Sequence, residues 1–474
     1  MSTTTSYRKP TSVRLRPSER RVMLLAGDFI AAVIALFVSI FFWANQDWLD
    51  YTAEFFQQRV PGWFYLLPLL WLVLMVEMYD IRRAARRGDT IRGVALAGLI
   101  SLLLYLFVFF FSEPNSLPRR GVAAFVAAVV VLTLAWRFFY IQVFTTSKFM
   151  RRALVIGAGR AGSALVKVIH ESWPTPFLVV GLIDDDPQKL GIETEGYKVL
   201  GTSAQLQEII DREGVTDLIF AISGEMDSHM VEALLQAEEN GVEMTTMPTL
   251  YQSLLGRVPI FLLQSDWILR TFFDQAHVNS LYEIGKRVID IIGGLMGSLI
   301  TLALFPFIAL ATLLDSGFPV FFSQSRLGKN GQEFNIIKFR TMVKDAEKDG
   351  VARTATTHDS RITRVGNILR KSHLDELPQF FNVLKGEMSL VGPRAERAQL
   401  VNDLQTKLPF YRARLLVKPG ITGWAQVNFG YAETVDDMAI KLEYDLYYIM
   451  RRSLGLDLII ILRTVGTVIG FRGR

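Results

Sequence analysis

"KRVIDIIGGLMGSLITLALFPFIALATLLDSGFPVFF", residues 286–322, is the stretch on which the architecture turns. It is long and apolar enough to cross a bilayer. Both flanks are basic, with Lys286 and Arg287 before it and Arg326 and Lys329 after it. Basic flanks favour the cytoplasmic side, and a crossing here would carry the whole C-terminal part of the chain out of the cytoplasm. Pro306 lies mid-run, where it lacks an N–H and meets the carbonyl of Leu302, so a break in the helix is expected there. A helix that enters, bends and leaves by the same face, near 286–314, satisfies both flanks. A kinked crossing helix is the other reading.

The rest of the composition agrees with membrane attachment. Of 474 residues, 50% are hydrophobic, and the mean hydropathy is +0.28. A net charge of +5 is too mild to argue for nucleic acid and suits a protein lying on an anionic leaflet. No cysteine is present, which excludes disulfides, thiolate metal sites and a cysteine nucleophile. The five histidines lack ligand spacing, which argues against a structural zinc.

Upstream, a basic segment (1–21) precedes "VMLLAGDFIAAVIALFVSIFFW", whose apolar core is too long for a signal peptide. Three more candidate spans follow at 63–79, 94–111 and 121–140. The first connecting loop is acid-biased and the second, "DIRRAARRGDTIR", carries five arginines. That pattern places the N-terminus, the second loop and everything after residue 145 in the cytoplasm. Arg119 and Arg120 in the third loop argue the other way.

From Arg151 the chain reads as α/β. "RRALVIGAGRAGSALVKVIHE" is a strand, a glycine turn and a helix, with Gly157, Gly159 and Gly162 in G-x-G-x-x-G order. A second strand ends in acids, Asp184 first, about twenty residues beyond the last glycine. A Rossmann-like domain is expected over 146–265. Its glycines either cradle a nucleotide phosphate with Asp184 on a ribose, or only permit close helix–strand packing. Both readings stand.

Downstream, "LDELPQFFNVLKGEMSLVGPRAE" (374–396) sets Asp375 and Glu376 just before Pro378. Proline is tolerated in a first helical turn, so a helix should begin near Leu374 or Asp375, although Ser372 also reads as a cap. Two carboxylates then stand at a helix N-terminus, pointing about 100° apart, which suits them to different tasks. Basic residues surround them in sequence. Lys338 and Arg340 alternate on an expected strand and so share one face, Arg361, Arg364 and Arg370 precede the pair, and Pro393 and Arg394 follow it in a Gly-Pro-Arg turn. Arginine forks suit phosphate oxygens; solvated surface charge or a lipid-headgroup contact is the plainer alternative.

The strings "KRVIDI", "PVFFSQSRLGKNGQEFNIIKFRTM", "DSRITRVGNILRKSHLDELPQFFNVLKGEMSLVGPR" and "KPGITGWAQVN" cover nearly all of 284–474. In these the chain resembles the bacterial sugar transferases, the polyprenyl-phosphate hexose-1-phosphate transferases. The upstream helices and Rossmann-like region resemble its long-form members. The resemblance implies transfer of a hexose-1-phosphate from a UDP-sugar to undecaprenyl phosphate, releasing UMP and initiating exopolysaccharide, capsule or O-antigen synthesis. It implies a monotopic catalytic domain with a re-entrant helix, Asp375 as nucleophile forming a phosphosugar-enzyme, and Glu376 linked to Mg²⁺. A cation is needed on physical grounds too. Two unit charges 4 Å apart repel by about 4 kcal/mol at an effective dielectric of 20, and Mg²⁺ bridging phosphates offsets such repulsion. One departure stands out: the family's turn reads Gly-Pro-Arg-Pro, whereas here Ala395 follows Arg394, which puts nucleotide affinity in question.

The expected fold class is a multidomain membrane protein. A basic N-terminus (1–21) leads to a four-helix transmembrane bundle (22–145) and a Rossmann-like α/β domain (146–265). A linker (266–283) joins these to a mixed α/β monotopic catalytic domain (284–474). The expected location is the bacterial inner membrane, with catalysis on the cytoplasmic face. Partners are the UDP-sugar, undecaprenyl phosphate and the bilayer; the Rossmann-like surface leaves room for a homodimer without specifying one. The sugar, glucose or galactose by resemblance, is not encoded in any residue pattern. A tethered nucleotide-sugar dehydrogenase or epimerase would need a Tyr-x-x-x-Lys after the glycine loop, and 150–262 has none. A nucleotide-binding scaffold remains the non-enzymatic alternative.

Overall fold

A computed structural model describes residues 15, 17–111, 118–146, 150–172, 175, 177–221, 228–262, 280–344, 346, 359, 361–430 and 434–469. Most of the expected N-terminal segment and of the 266–283 linker lie outside these. The chain divides into two compact units, Met1–Met247 and Pro248–Arg474.

In the first unit, helices Pro17–Ala44, Arg87–Phe111 and Arg119–Phe144 are long and apolar enough to cross a membrane. The second apolar stretch is not one such helix. It runs as a 3₁₀ turn (Gly62–Leu66), an α-helix (Leu67–Leu74) and a second 3₁₀ turn (Val76–Tyr79). Pro61 and Pro68, which cannot donate, sit where these pieces begin. Trp43, Phe55, Phe64, Trp71 and Met75 fill the core of this helical region. A charged pair is buried with them. Both oxygens of Asp28 accept from Arg137, at 3.1 and 2.5 Å, and Nη1 of Arg137 donates to the Met78 carbonyl at 2.6 Å. Charges in an apolar bundle persist when paired, and here the pair also serves a carbonyl of the second 3₁₀ turn.

The α/β part of this unit is a six-stranded sheet. Its strands are β1 (Arg151–Ile156), β2 (Phe177–Ile183), β3 (Glu193–Thr194), β4 (Tyr197–Gly201), β5 (Asp217–Phe220) and β6 (Glu243–Thr246). The order is β3-β4-β2-β1-β5-β6, parallel throughout except for the short edge strand β3. Leu154, Ile156, Ile183 and Leu218 meet Leu206, Ile209, Ile210 and Leu234 of the flanking helices in its core. Apolar strands covered by helices are what a parallel sheet requires.

The second unit opens on residues 248–262, which the sequence assigns with the Rossmann-like region. Val258 and Ile260 are buried in the core of this unit, Val258 N donates to Glu443 O, and Nε1 of Trp424 donates to Gly256 O at 2.7 Å. The helix Ser280–Ser316 follows, the fourth helix long and apolar enough to span. It continues through Pro306 without the expected interruption. The turn beyond the proline is fastened by packing: Ile308 and Ala309 bury against Val320, Phe339 and Leu369. Strands β7 (Phe321–Leu327) and β8 (Glu333–Phe339) form a hairpin, and β9 (Ser389–Val391) pairs in parallel with β10 (Gly420–Thr422). Helix Val435–Arg451 buries Leu442, Leu446 and Ile449 in the unit's main core. Helix Leu454–Ile469 closes the described chain.

Candidate active site

The amphipathic helix Arg364–Lys371 ends at Ser372, and His373 then takes a left-handed conformation (φ 56°). That reversal starts a 3₁₀ turn, Leu374–Glu376, which leads through Pro378 into helix Gln379–Lys385. The helical conformation therefore begins near Leu374, as the proline requires, with a tighter first turn than a regular helix. Leu374 and Leu377 pack beside Phe339, Ile308 and Leu369, so the acidic pair between them is fixed by apolar anchors on both sides.

Asp375 is buried, 8% exposed, and among the described residues its carboxylate makes no hydrogen bond. Burial and the adjacent Glu376 push it above the usual carboxylate range, against the opposing pull of Lys338, Arg394 and Arg370. Glu376 behaves oppositely. Burial alone would raise it, but Arg394 and Lys338 outweigh that and hold it well below its ordinary value. Oε1 of Glu376 accepts from Nζ of Lys338 at 2.6 Å and from Nη2 of Arg394 at 2.8 Å. One turn thus holds a carboxylate fixed as an anion and another, beside it, without a direct partner. A carboxylate without a direct partner keeps its oxygen lone pairs available for bonding.

Of the sequence-derived residues, the structure brings together Asp375, Glu376, Lys338, Arg370 and Arg394, with Pro393 in the turn that carries Arg394. Arg340 is buried, and Nη2 donates to the carbonyl and Oγ of Ser316 and to the carbonyl of Gly317 at the end of the long helix. Arg361 forks onto Asp359, at 2.8, 3.1 and 2.6 Å. Arg364 is exposed at the start of its helix. Behind Arg394 lies a cluster that sequence reading missed. Glu396 lies 2.8 Å from Lys441 and 3.7 Å from Arg414, and Arg414 is 2.8 Å from Asp445. These residues are scattered over the last hundred positions with no local pattern to join them.

In the first unit, a Cβ at Gly162 would sit 1.9 Å from the Gly157 carbonyl, so close packing alone demands that glycine. Gly157 has φ 104°, and Gly159 precedes the helix Arg160–Glu171 in an extended conformation. Asp184 accepts from the N–H of Ala158 inside the glycine loop at 2.8 Å and pairs with Lys189 at 3.0 Å. Its carboxylate therefore ties the loop to the end of β2.

Residues 281–471 match the family model described as bacterial sugar transferase, and residues 74–248 match one described as CoA-binding domain. The chain is 45% identical over 218 residues to an Aeromonas hydrophila UDP-N-acetylgalactosamine-undecaprenyl-phosphate N-acetylgalactosaminephosphotransferase, covering 43% of this chain and 50% of that one. It spans only half the length of that relative. Against a UDP-glucose:undecaprenyl-phosphate glucose-1-phosphate transferase of Xanthomonas campestris pv. campestris it is 31% identical over 426 residues, 85% of each chain. The Escherichia coli (strain K12) protein of the same description is 44% identical over 185 residues, 38% of this chain and 39% of that one.

Proposed function

The chain belongs to the bacterial sugar transferase family, and on that premise we propose that it moves a hexose-1-phosphate from a UDP-sugar to undecaprenyl phosphate through a covalent intermediate on Asp375. The observation that carries this reading is the division of labour in the acidic pair: Glu376 is pinned by two cations while Asp375 is buried without a direct partner.

In the first step an oxygen of ionised Asp375 attacks the sugar-bearing phosphorus. The bond from that phosphorus to the bridging oxygen breaks, and UMP departs with the electron pair. An oxygen of undecaprenyl phosphate then attacks the same phosphorus, the aspartyl–phosphorus bond breaks, and the sugar diphospholipid forms. Lys338, Arg370 and Arg394, whose charges already act on Asp375, would offset the anionic charge of the donor.

Among the described residues no group of three or more metal-ligating side chains converges. A pair of carboxylates nevertheless fits Mg²⁺, which takes one or two protein carboxylates with substrate phosphates and waters completing its shell. Both ion pairs of Glu376 fall on Oε1, and Glu376 is the residue that would hold the metal. When bound, Mg²⁺ would neutralise charge on the pyrophosphate.

The basic flanks of helix Ser280–Ser316 support a re-entrant course, with catalysis at the cytoplasmic face of the inner membrane. The reading is tested by UMP release from a panel of UDP-sugars with undecaprenyl phosphate and Mg²⁺, and by labelling of the enzyme with radioactive donor. Asp375→Asn should abolish both. Ternary-complex kinetics with no labelled enzyme would refute the covalent route.

A further inference from the structure

The turn that carries Arg394 is held carbonyl by carbonyl. The Val391 carbonyl accepts from Nζ of Lys286 at 3.0 Å and from the Tyr448 hydroxyl at 3.2 Å. The Pro393 carbonyl accepts from Gly420 N at 2.9 Å. The Arg394 carbonyl accepts from Nη2 of Arg414 at 3.1 Å, and the Ala395 carbonyl from Nη1 of Arg326 at 3.3 Å. The Glu396 carbonyl accepts from Leu327 N at 3.0 Å.

Long cationic side chains are an entropically costly way to hold neutral carbonyls, so three of them on one short turn call for a reason. Both arginines are themselves fixed in place. Arg414 is buried, with Asp445 at 2.8 Å and the Tyr411 hydroxyl at 2.9 Å. Arg326 donates to Gln324 at 2.8 Å and lies 3.8 Å from Glu396. Arg326 bonds the carbonyl of Ala395, the residue that stands where the resemblance leads one to expect a second proline. A proline would lock φ there covalently; alanine supplies no such restraint.

We propose that Arg326 and Arg414 are positioning residues that clamp the peptide units of Ala395 and Arg394, doing by hydrogen bonds what a second proline would do by its ring, and so present Arg394 to Glu376. The inference rests on placing Glu376 and Arg394 at the donor site. Neither arginine is required to touch a reacting atom.

Arg326 is the one to vary, because removing Arg414 would strip the buried Asp445 of its ion pair. The full-length chain would be prepared as wild type, Arg326→Met, Ala395→Pro and the double variant. Steady-state kinetics would be measured with the UDP-sugar, and amide hydrogen exchange across 391–397. In Arg326→Met the donor KM should rise about tenfold with kcat changed less than about twofold, since loosened binding acts on both states alike. Exchange of the turn amides should quicken by about tenfold, the loss of roughly one hydrogen bond. Ala395→Pro alone should change little, because the Ala395 N–H makes no hydrogen bond among the described residues. In the double variant, KM and exchange should return close to wild type. A general loss of packing would not be repaired by a proline seventy residues away in the chain. Unchanged KM and exchange in Arg326→Met, or a double variant no better than the single, would overturn the clamp. If Arg326→Met folds poorly, Arg326→Lys, which keeps the charge but loses the fork, carries the same expectations. Exchange reads the clamp without turnover, so inactivity toward every donor would count against the proposed function and leave the clamp to be judged by exchange.

Discussion

Nζ of Lys338 lies 2.6 Å from Oε1 of Glu376, and the two reach each other from the end of a hairpin strand and the first turn of a helix. The pair turns a buried carboxylate into a fixed anion, while Asp375, one residue earlier and the proposed nucleophile, has no direct partner among the described residues. Lys338→Met should therefore lower stability by about 1–3 kcal/mol, because a largely buried carboxylate loses a charged donor. Adding Glu376→Gln should recover most of the melting temperature and none of the activity. Thermal unfolding of the four proteins of this cycle reads the outcome.

Loss of activity on removing the proposed nucleophile should be nearly absolute. Asp375→Asn should reduce UMP release by at least about a thousandfold, as expected for removal of a covalent catalyst. Incorporation of radiolabel from the donor into the protein should vanish with it.

Acid should inhibit the first half-reaction. Burial and Glu376 push Asp375 up to about 6, and only the ionised form can attack. The donor-side kcat/KM should fall as pH drops through about 6, and Lys338→Met, which removes a cation that favours ionisation, should shift this limb to higher pH. The stability effect has the opposite sign. An acid whose folded pKa is raised favours the fold at low pH, and that stabilisation is lost as pH rises from the unfolded value through about 6. Asp375→Asn should consequently melt higher than wild type at pH 7.5, measured side by side.

In the apolar helical region, Arg137→Leu would leave Asp28 buried without its partner, at a cost of about 3–5 kcal/mol. Replacing both residues by leucine should recover much of that loss. Thermal aggregation in detergent, followed by size-exclusion chromatography, distinguishes the single from the double variant.

Trp424→Phe keeps an aromatic side chain but removes the Nε1 donor of the 2.7 Å bond to the Gly256 carbonyl. A loss of about 1 kcal/mol corresponds to roughly fivefold faster local opening. Limited proteolysis should cut within 248–262 that much sooner, with cleavage elsewhere unchanged.

Local chemistry made much of this legible. Apolar length announced the long helices, and alternating strands and helices around a glycine turn announced the parallel sheet. Pro378 located the start of the acidic turn. The misjudged positions have physical reasons. Lys338 and Arg340 were expected to share a strand face, but β8 ends at Phe339, so the two-residue period stops before Arg340, which turns to cap the long helix instead. The second apolar stretch has the composition of a span, and its prolines break it into 3₁₀ and α pieces. Pro306 breaks nothing, because the turn beyond it is packed against Phe339 and Leu369.

The sequence by itself determined the membrane-borne character of the chain, its sheet domain, its family and the acidic pair, since each depends on neighbours along the chain. Tertiary structure alone decided which cations serve that pair. Glu376 draws Lys338 from one side and Arg394 from the other, Arg361 is committed to Asp359, and Arg414 and Arg326 close on the turn behind Arg394. Charges pair over a few ångströms of space whatever their separation in sequence, and the side chains that come within that reach are chosen by packing.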